Sequence, residues 1–486
     1  MPSMMELSTR PWLYYLSQKY GKSITKLSQI PPQEFQQYAD AGFDYIWMMG
    51  VWSLGEYGLQ HDQTDPSLLQ SYSQTLPGYT QSDIIGSPYA VVNYTCNSEL
   101  GSDEDILAMK KTLNSMGLKL ILDFVPNHSA VDCPYTSSNI NYYVRAPSGV
   151  SNSNKYLSNG IAYGSACSGC GSWPDTAQYN IWDKGAQQAR LQDLLHVASL
   201  SDGIRCDMAY LLLNDMFQQT WSTELSAWGY SRPSSEWWTT AIQSTKVQYP
   251  DVIFLAEVYS PWGPNLQQCG FDFTYDKDLY DRLGNGNLDN IRAWLTQNSV
   301  QYLQHCAHFT SNHDEQRGAA FFGSWWRSDA AAILTYTVPG MKFFYMWEEN
   351  GYAAKLDVHL RRESTETINS NVVAFYNTLW SIVNTDVFKL GTWTYLPVSS
   401  SSDSWRLIAY SWQYNNQKRL VVVNYSDQQA SGNIVVSNAQ AVNGNDTISV
   451  TDLLSGQTYY RSANQMRSQG LFVVVNSWYG QIFQYD

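Results

Sequence analysis

Short apolar runs alternate with amphipathic segments along the chain up to about Tyr345. The apolar, β-branched or aromatic runs predict strands at residues 44–50, 118–125, 202–207, 252–257, 308–312 and 341–345. Helical spacing predicts helices at residues 32–41, 103–115, 187–198, 288–297 and 330–337. This alternation favours a parallel sheet covered by helices, and the count fits closure into an α/β fold of the (β/α)₈ TIM-barrel type.

The alternation fails in two regions, and each predicts a separate unit. Residues 126–176 are rich in Ser, Asn, Gly and Tyr, which predicts a small subdomain B inserted after the third strand. After about Leu390, short strands separated by turn residues predict an antiparallel β-sandwich. The predicted domains are therefore a barrel at residues 1–125 and 177–390, the insertion at 126–176, and a C-terminal all-β domain at 391–486.

The charge balance narrows the classes of partner. The formal net charge is −14, and an acidic surface repels phosphate backbones, so nucleic-acid binding is not expected. Apolar stretches are too short for a transmembrane helix, so no membrane partner is expected either. Tyr occurs 35 times and Trp 19 times. Aromatic rings stack on sugars, but a large barrel core uses them equally well, so composition leaves both interpretations open.

The cysteines and the N-terminus bear on the cellular compartment. Seven cysteines leave at least one unpaired within the chain, and the lone Cys167-Ser-Gly-Cys170 motif is weak evidence for zinc. A disulfide involving Cys133, Cys167 or Cys170 and a set of free thiols are equally expected. The first residues lack the pattern of a signal peptide, which leaves a cytoplasmic protein or the mature form of a secreted one. The low content of charged residues, the many aromatic residues and a possible disulfide in the insertion favour a secreted protein. A monomer is expected.

Four predicted strands end in polar clusters that contain carboxyl groups. These clusters are Asp123 to His128, Arg205 to Asp207, Glu257, and Ser311 to Glu315. Burying an unpaired carboxylate inside a barrel costs on the order of several kcal/mol of folding free energy. At the carboxyl end of the strands it lies instead in the site that the βα loops build.

Paired carboxyl groups in such a site suit the cleavage of a glycosidic bond with retention of configuration. That reaction uses one ionised carboxylate as nucleophile and one protonated carboxyl as acid. Arg205 lies two positions before Asp207 on a strand, so both side chains point the same way, and the cation is expected to keep Asp207 ionised. Asp314 is placed to stabilise positive charge on the sugar, and His128 and His313 are donors for its hydroxyls.

These four segments, in this order, resemble the short conserved stretches of the α-amylase family of glycoside hydrolases. The resemblance spans nearly the whole chain, including the insertion and the β-rich tail. It implies three catalytic roles, namely nucleophile for Asp207, general acid/base for Glu257 and transition-state stabiliser for Asp314. It also implies substrate binding by Tyr89, His128, Arg205 and His313, and structural positions at Asp123 and Asn127.

The chain departs from the family pattern at two places. Many members follow the nucleophile with Lys-His, where this chain has Met208-Ala-Tyr210, and residues 346–349 replace a frequent Gly-Gln-Glu. The retained Asn127 implies a structural Ca²⁺ site, whereas the missing Lys-His pair argues against it. No cofactor is expected for the chemistry itself.

The leading functional hypothesis is a hydrolase of α-1,4-glucosidic bonds in starch or maltooligosaccharides. An α-glucosyl transferase or isomerase acting on sucrose, trehalose or maltodextrins uses the same intermediate and is the nearest alternative. A hypothesis of another class is an inactive homologue that only binds carbohydrate, which the intact set of three carboxyl groups disfavours. Chain-length preference and endo or exo action do not follow from the sequence.

Overall fold

The structure is a computed structural model that describes residues 1–399, 401–441 and 444–485. The predicted C-terminal domain, residues 391–486, includes the four positions outside these ranges. The strands of the described chain are β1 Ser3–Ser8, β2 Tyr45–Met49, β3 Trp52–Leu54, β4 Val91–Cys96, β5 Lys119–Phe124, β6 His128–Ala130, β7 Gly164–Ser165, β8 Ser172–Trp173, β9 Thr176–Gln178, β10 Gly203–Cys206, β11 Ile253–Ala256, β12 Phe273–Tyr275, β13 Cys306–His308, β14 Met341–Tyr345, β15 Thr392–Leu396, β16 Val398–Ser399, β17 Leu407–Tyr414, β18 Gln417–Asn424, β19 Ala430–Ile434, β20 Thr447–Asp452, β21 Thr458–Ser462, β22 Leu471–Val475 and β23 Tyr479–Tyr485.

The helices cover the barrel and connect its strands. They are α1 Thr9–Tyr20, α2 Gln33–Asp40, α3 Glu56–Asp62, α4 Pro66–Thr75, α5 Asp103–Ser115, α6 Tyr135–Ser138, α7 Lys184–Leu200, α8 Asn214–Ala227, α9 Trp237–Gln248, α10 Gly263–Cys269, α11 Lys277–Asn285, α12 Leu288–Gln297, α13 Val300–Gln304, α14 Gly318–Phe322, α15 Trp325–Thr337, α16 Ser370–Val383, α17 Asp386–Leu390 and α18 Ala463–Ser468. In the described ranges, none of these helices is long and apolar enough to cross a membrane.

Within residues 3–345, eight parallel strands close into a barrel in the order β1-β14-β13-β12-β11-β10-β5-β2. The predicted fold class is therefore confirmed. All carboxyl ends of these strands meet at one rim, where barrel enzymes build their sites from loops. Gly203 opens β10 where three strands meet, because a Cβ there would approach the side chains of Ile121 and Ile253 to 2.9 Å and 2.8 Å.

A small subdomain lies between β5 and α7, after the third barrel strand. Its paired strands are β6 with β9 and β7 with β8. A buried cluster of Tyr143, Ile161, Ala177 and Tyr179 forms its own core. The structure joins Cys167 and Cys170 in a disulfide within this insertion. The thiols of Cys96, Cys133, Cys206, Cys269 and Cys306 are all buried.

The residues after Leu390 form two antiparallel sheets in the part of the chain that the structure describes. The larger sheet has the order β15-β17-β18-β23-β20-β21, and the smaller has the order β16-β19-β22. Apolar side chains from both sheets share one core. The other face of the larger sheet packs on α15, where Trp412 Nε1 donates to the Thr337 carbonyl at 2.7 Å.

The structure differs from the sequence prediction at three barrel strands. The pattern does not predict β1 or β12, since Ser-Met-Met-Glu-Leu-Ser has few β-branched residues and β12 has only three residues. The prediction also places the seventh strand at 308–312, whereas β13 ends at His308. Its last described partners are Lys342 on β14 and, one residue earlier, Tyr275 on β12, so ladder pairing stops there.

Candidate active site

Two of the predicted carboxyl groups are held in place by an extension of the barrel ladder. The Asp207 amide donates to the Phe124 carbonyl at 2.9 Å, and the Glu257 amide donates to the Cys206 carbonyl at 2.9 Å. Each acid therefore follows its strand by one residue and keeps the strand's alignment. Asp314 lies on the loop that follows β13, so all three predicted acids belong to the same rim of the barrel.

One guanidinium joins the first two acids. Arg205 is fully buried, its Nη1 lies 2.9 Å from Asp207 Oδ1, and its Nη2 lies 2.7 Å from Glu257 Oε2. The pairing with Asp207 follows from strand alternation, but the pairing with Glu257 comes from the next strand of the barrel. Two carboxyl groups are thus held side by side, which is the arrangement that retaining glycosidases require.

Glu257 accepts two further hydrogen bonds. The Met208 amide donates to Oε2 at 2.8 Å, and the Tyr259 hydroxyl donates to Oε1 at 2.9 Å. Met208 adopts a left-handed backbone conformation with φ of 42°, which is uncommon for a residue with a side chain. This turn aims its amide at Glu257, so the departure from the family's Lys-His pair leaves the acid fully oriented.

The pKa of Asp207 depends on more than its pairing with Arg205. Burial raises the pKa of Asp207 well above its ordinary value, the negative charge of Glu257 raises this pKa further, and Arg205 opposes both effects. The predicted ion pair is present, but it does not by itself keep Asp207 ionised. The physical reason is that Arg205 is shared between two carboxyl groups, so its charge only partly offsets the effects of burial and of Glu257 on the pKa of Asp207.

His313 connects Asp314 to a buried acid on the first strand. Its Nδ1 lies 2.5 Å from Glu6 Oε1, and its Nε2 lies 3.1 Å from Asp314 Oδ2. Burial alone would lower the pKa of His313, but the charges of Asp314 and Glu6 raise this pKa to about 10. Burial acts to raise the pKa of Asp314, yet the His313 charge lowers it below its ordinary value. Asp314 is therefore ionised, and its side chain is 42% exposed at the rim.

Tyr89 and His128 line the same site. The Tyr89 ring stacks on His313 with 5.4 Å between ring centroids, and its hydroxyl lies 2.8 Å from His313 Nε2. The guanidinium of Arg205 lies 5.1 Å from the centroid of the Tyr89 ring. Burial lowers the pKa of His128 to about 4, so this imidazole is neutral. It packs edge-to-face with Trp173, with 5.2 Å between the ring centroids. The structure thus brings together the predicted binding residues.

The two predicted structural positions support the floor of the site. Asp123 is buried, accepts from the Gly50 amide at 2.9 Å, and lies 3.7 Å from Arg205 Nη1. The amide of Asn127 pairs with the amide of Gln178, because Gln178 Nε2 donates to Asn127 Oδ1 at 2.9 Å and Asn127 Nδ2 donates back at 3.2 Å.

This amide pair bears on the suggested Ca²⁺ site. Calcium prefers several oxygen ligands that include carboxylates, but the Asn127 side-chain oxygen is already used by Gln178. Among the described residues, no group of three or more His, Cys, Asp or Glu is arranged to hold a metal ion. The residues around Asn127 therefore do not fit a calcium ion.

Three residues of the site do not follow from the sequence reasoning. Glu6 binds His313, Tyr259 binds Glu257, and the Tyr275 hydroxyl accepts from Arg205 Nε at 3.3 Å. The sequence does contain a signal for Tyr259. It stands two positions after Glu257, just as Arg205 stands two positions before Asp207. Glu6 and Tyr275 lie on β1 and β12, the two strands that the pattern does not predict.

Replacing Glu6 by Gln is expected to destabilise the fold in a pH-dependent way. Protonated His313 would lose a buried partner, which costs about 3 kcal/mol. The raised pKa means that folding favours protonated His313, so this stabilisation is complete below the ordinary pKa of 6.5 and is lost as pH rises towards 10. Urea unfolding of both proteins between pH 6 and 10 should show a difference that shrinks with rising pH. A difference that grows with pH would contradict the assignment of charge.

Comparisons with known proteins agree with this fold. No family model matches the chain. It is 23% identical over 386 residues to α-amylase MalA of Haloarcula japonica, covering 75% of this chain and 50% of the relative. It is 23% identical over 314 residues to α-amylase 3 of Dictyoglomus thermophilum, covering 60% of this chain and 58% of the relative. The chain thus spans about half the length of the curated relatives it matches.

Solved structures share the fold over the whole chain. A noncanonic maltogenic α-amylase, AmyB of Thermotoga neapolitana, superposes with a TM-score of 0.71 at 18% identity, covering 99% of this chain and 98% of that one. An α-amylase of Geobacillus thermoleovorans in complex with acarbose superposes with a TM-score of 0.69 at 13% identity, covering 100% and 98%. These structures share the closed barrel and the C-terminal β domain of this chain. The chain is therefore similar in sequence to these α-amylases and shares the fold of solved α-amylase structures.

Proposed function

We propose that the chain is a retaining α-glucoside hydrolase that cleaves α-1,4-glucosidic bonds in starch or maltooligosaccharides. The observation that carries this proposal is the shared contact of Arg205 with Asp207 and Glu257 beside the ionised Asp314. Binding alone needs no such convergence of carboxyl groups, so the arrangement favours catalysis over an inactive binding homologue.

In the first step, Asp207 attacks the anomeric carbon, and Glu257 gives its proton to the departing glycosidic oxygen. The step breaks the bond between carbon and glycosidic oxygen and leaves a covalent glycosyl-aspartate. The attack uses Asp207 as a carboxylate and Glu257 as the proton donor, and Arg205 contacts both groups. Asp314, held ionised by His313, stabilises the positive charge that builds on the ring.

In the second step, Glu257 takes a proton from water, and the water oxygen attacks the same carbon. Asp207 leaves as a carboxylate, and the pair again holds one proton, so the cycle balances. Tyr89 offers a stacking face for the sugar, and the neutral His128 offers a hydrogen-bonding group for a hydroxyl.

Proton NMR during hydrolysis of maltohexaose tests this proposal. The first new product signal should be the α-anomer, which mutarotation then converts to the mixture. A β-anomer in the first spectra would show inversion and contradict the role of Asp207. Parallel incubations with sucrose and trehalose test the transferase alternative, since a polymer formed from sucrose would replace the hydrolase proposal.

We also propose that the protein acts as a secreted monomer without a calcium requirement. The disulfide between Cys167 and Cys170 supports an oxidising compartment. The hydrogen-bonded amides of Asn127 and Gln178 support the absence of a calcium requirement.

A further inference from the structure

The order of strands in the barrel gives the substrate cleft a direction. β1 and β11 are four places apart either way around the closed barrel, so they stand opposite each other. Glu257 directly follows β11. A general acid stands beside the leaving oxygen, so the leaving part of the glucan extends on the β11 side. The part that stays on the enzyme, towards the non-reducing end, extends across the mouth towards β1.

Two long loops meet on that opposite side. β1 pairs with β14 on one side and with β2 on the other. The loop after β2 carries α3 and α4, and the loop after β14 runs to α16. We call residues 56–99 and 353–364 together the glycone wall. Its two halves join through a β-bridge between Ile84 and Leu360, and the Ile85 amide donates to the His359 carbonyl at 2.8 Å.

The glycone wall has its own buried core. Tyr72 of α4 and Leu76, which directly follows this helix, pack with Ile84 and Leu360, and all four residues are at most 3% exposed. This core holds the two loops together, because separating the halves would expose its apolar side chains to water. The wall is therefore a fixed part of the structure rather than a loose flap.

Two ion pairs and a side-chain hydrogen bond connect the two halves of the glycone wall. Arg362 Nε lies 2.8 Å from Asp83 Oδ1, and Arg361 Nη2 lies 3.0 Å from Glu99 Oε1. On the α4 side, the Ser71 hydroxyl donates to Asp357 Oδ2 at 3.1 Å. The Arg362–Asp83 pair is partly buried and therefore resists screening better than the exposed Arg361–Glu99 pair, so it contributes more to holding the halves together.

The glycone wall reaches the catalytic residues at both of its ends. Lys355, in the half that follows β14, donates a hydrogen bond from Nζ to the Asp314 carbonyl. Tyr89, in the half that follows β2, stacks on His313. Both halves of the wall thus contact residues of the candidate active site directly.

We propose that the glycone wall closes the non-reducing end of the cleft, so that the chain removes short products of constant length from that end. This inference rests on the proposed hydrolase function and adds exo action to it. A glucan threads an open cleft from both sides, but a closed end admits only a terminus, and the depth to the wall sets the product length.

An end-blocked substrate tests the closed end without any mutation. The probe is a maltoheptaoside with a chromophore at the reducing end and a cyclic acetal on the outer hydroxyls of the non-reducing terminal glucose. The wild-type chain should cleave the unblocked form and cleave the blocked form at least about 100-fold more slowly. Comparable rates for both forms would overturn the inference. Failure to cleave either form would instead overturn the proposed function on which the inference rests.

A variant that loosens the wall gives a second reading. Arg362→Ala removes the pair with Asp83 at a distance from the catalytic residues. The ratio of blocked to unblocked cleavage should rise about 10-fold in this variant, because a looser wall admits a bulkier terminus. Arg461→Ala, an exposed arginine of the C-terminal domain, is the matched control and should leave the ratio unchanged. An unchanged ratio in a folded Arg362→Ala protein would overturn the role of the wall, and the wild-type comparison decides if that variant does not fold.

Discussion

Replacing Asp207 by Asn is expected to lower kcat by a factor on the order of 10⁴ or more, because the amide cannot form the glycosyl-aspartate. Asn keeps the shape of Asp and still accepts from Arg205, so the fold should remain intact. The measurement is release of reducing ends from maltohexaose, together with thermal unfolding followed by circular dichroism.

Asp215→Asn provides the matched control for this prediction. Asp215 has the same side chain but lies near the surface, where it pairs with Arg232. This control should keep wild-type activity, since exposed ion pairs contribute little. Activity within about tenfold of wild type in a folded Asp207→Asn protein would contradict the assignment of the nucleophile.

Replacing Glu257 by Gln is expected to lower the rate on maltooligosaccharides by about 10²–10⁴, the usual contribution of a general acid. The effect should depend on the leaving group, which distinguishes this role from that of Asp207. A maltosyl fluoride needs no proton for its departure, so the first step should proceed in this variant. The covalent intermediate should then accumulate, because no base activates water, and intact mass spectrometry should detect one added maltosyl group.

Azide gives the matching control for the Glu257 prediction. This anion attacks the intermediate without a general base, so it should restore turnover of the α-fluoride by Glu257→Gln and give an α-maltosyl azide, because two inversions at the anomeric carbon retain its configuration. Asp207→Asn should show no such rescue, since it forms no intermediate. Rescue of the Asp207 variant and not of the Glu257 variant would mean that the two roles are reversed.

The bounds of a barrel helix are predictable where the sequence pattern within that helix is enough to define them. The predicted bounds of α5 and α12 agree with the structure, because amphipathic spacing and polar residues at their first turns act locally. β1 is missed for the opposite reason. Its sequence has weak strand preference, and it is a strand only because β2 and β14 supply hydrogen-bond partners on both sides.

The contacts of the site are likewise predictable within one strand and unpredictable between strands. Alternation along β10 places Arg205 beside Asp207, so that contact is predictable from two positions on one strand. Contacts between strands are not predictable in this way. The shared bond of Arg205 to Glu257 and the bond of His313 to Glu6 join residues that are 52 and 307 positions apart.

By itself, the sequence determined the identity of the acids, their order and their place at strand ends, because each strand's polarity changes abruptly at its carboxyl end. Only the tertiary structure decided that the pKa of Asp207 is raised, since that depends on burial and on how one guanidinium is divided between Asp207 and Glu257. It also decided that the loops after β2 and β14 join beside β1, because their meeting depends on barrel closure. Local preferences act over a few residues, whereas electrostatics and loop pairing depend on distances that exist only after the chain has folded.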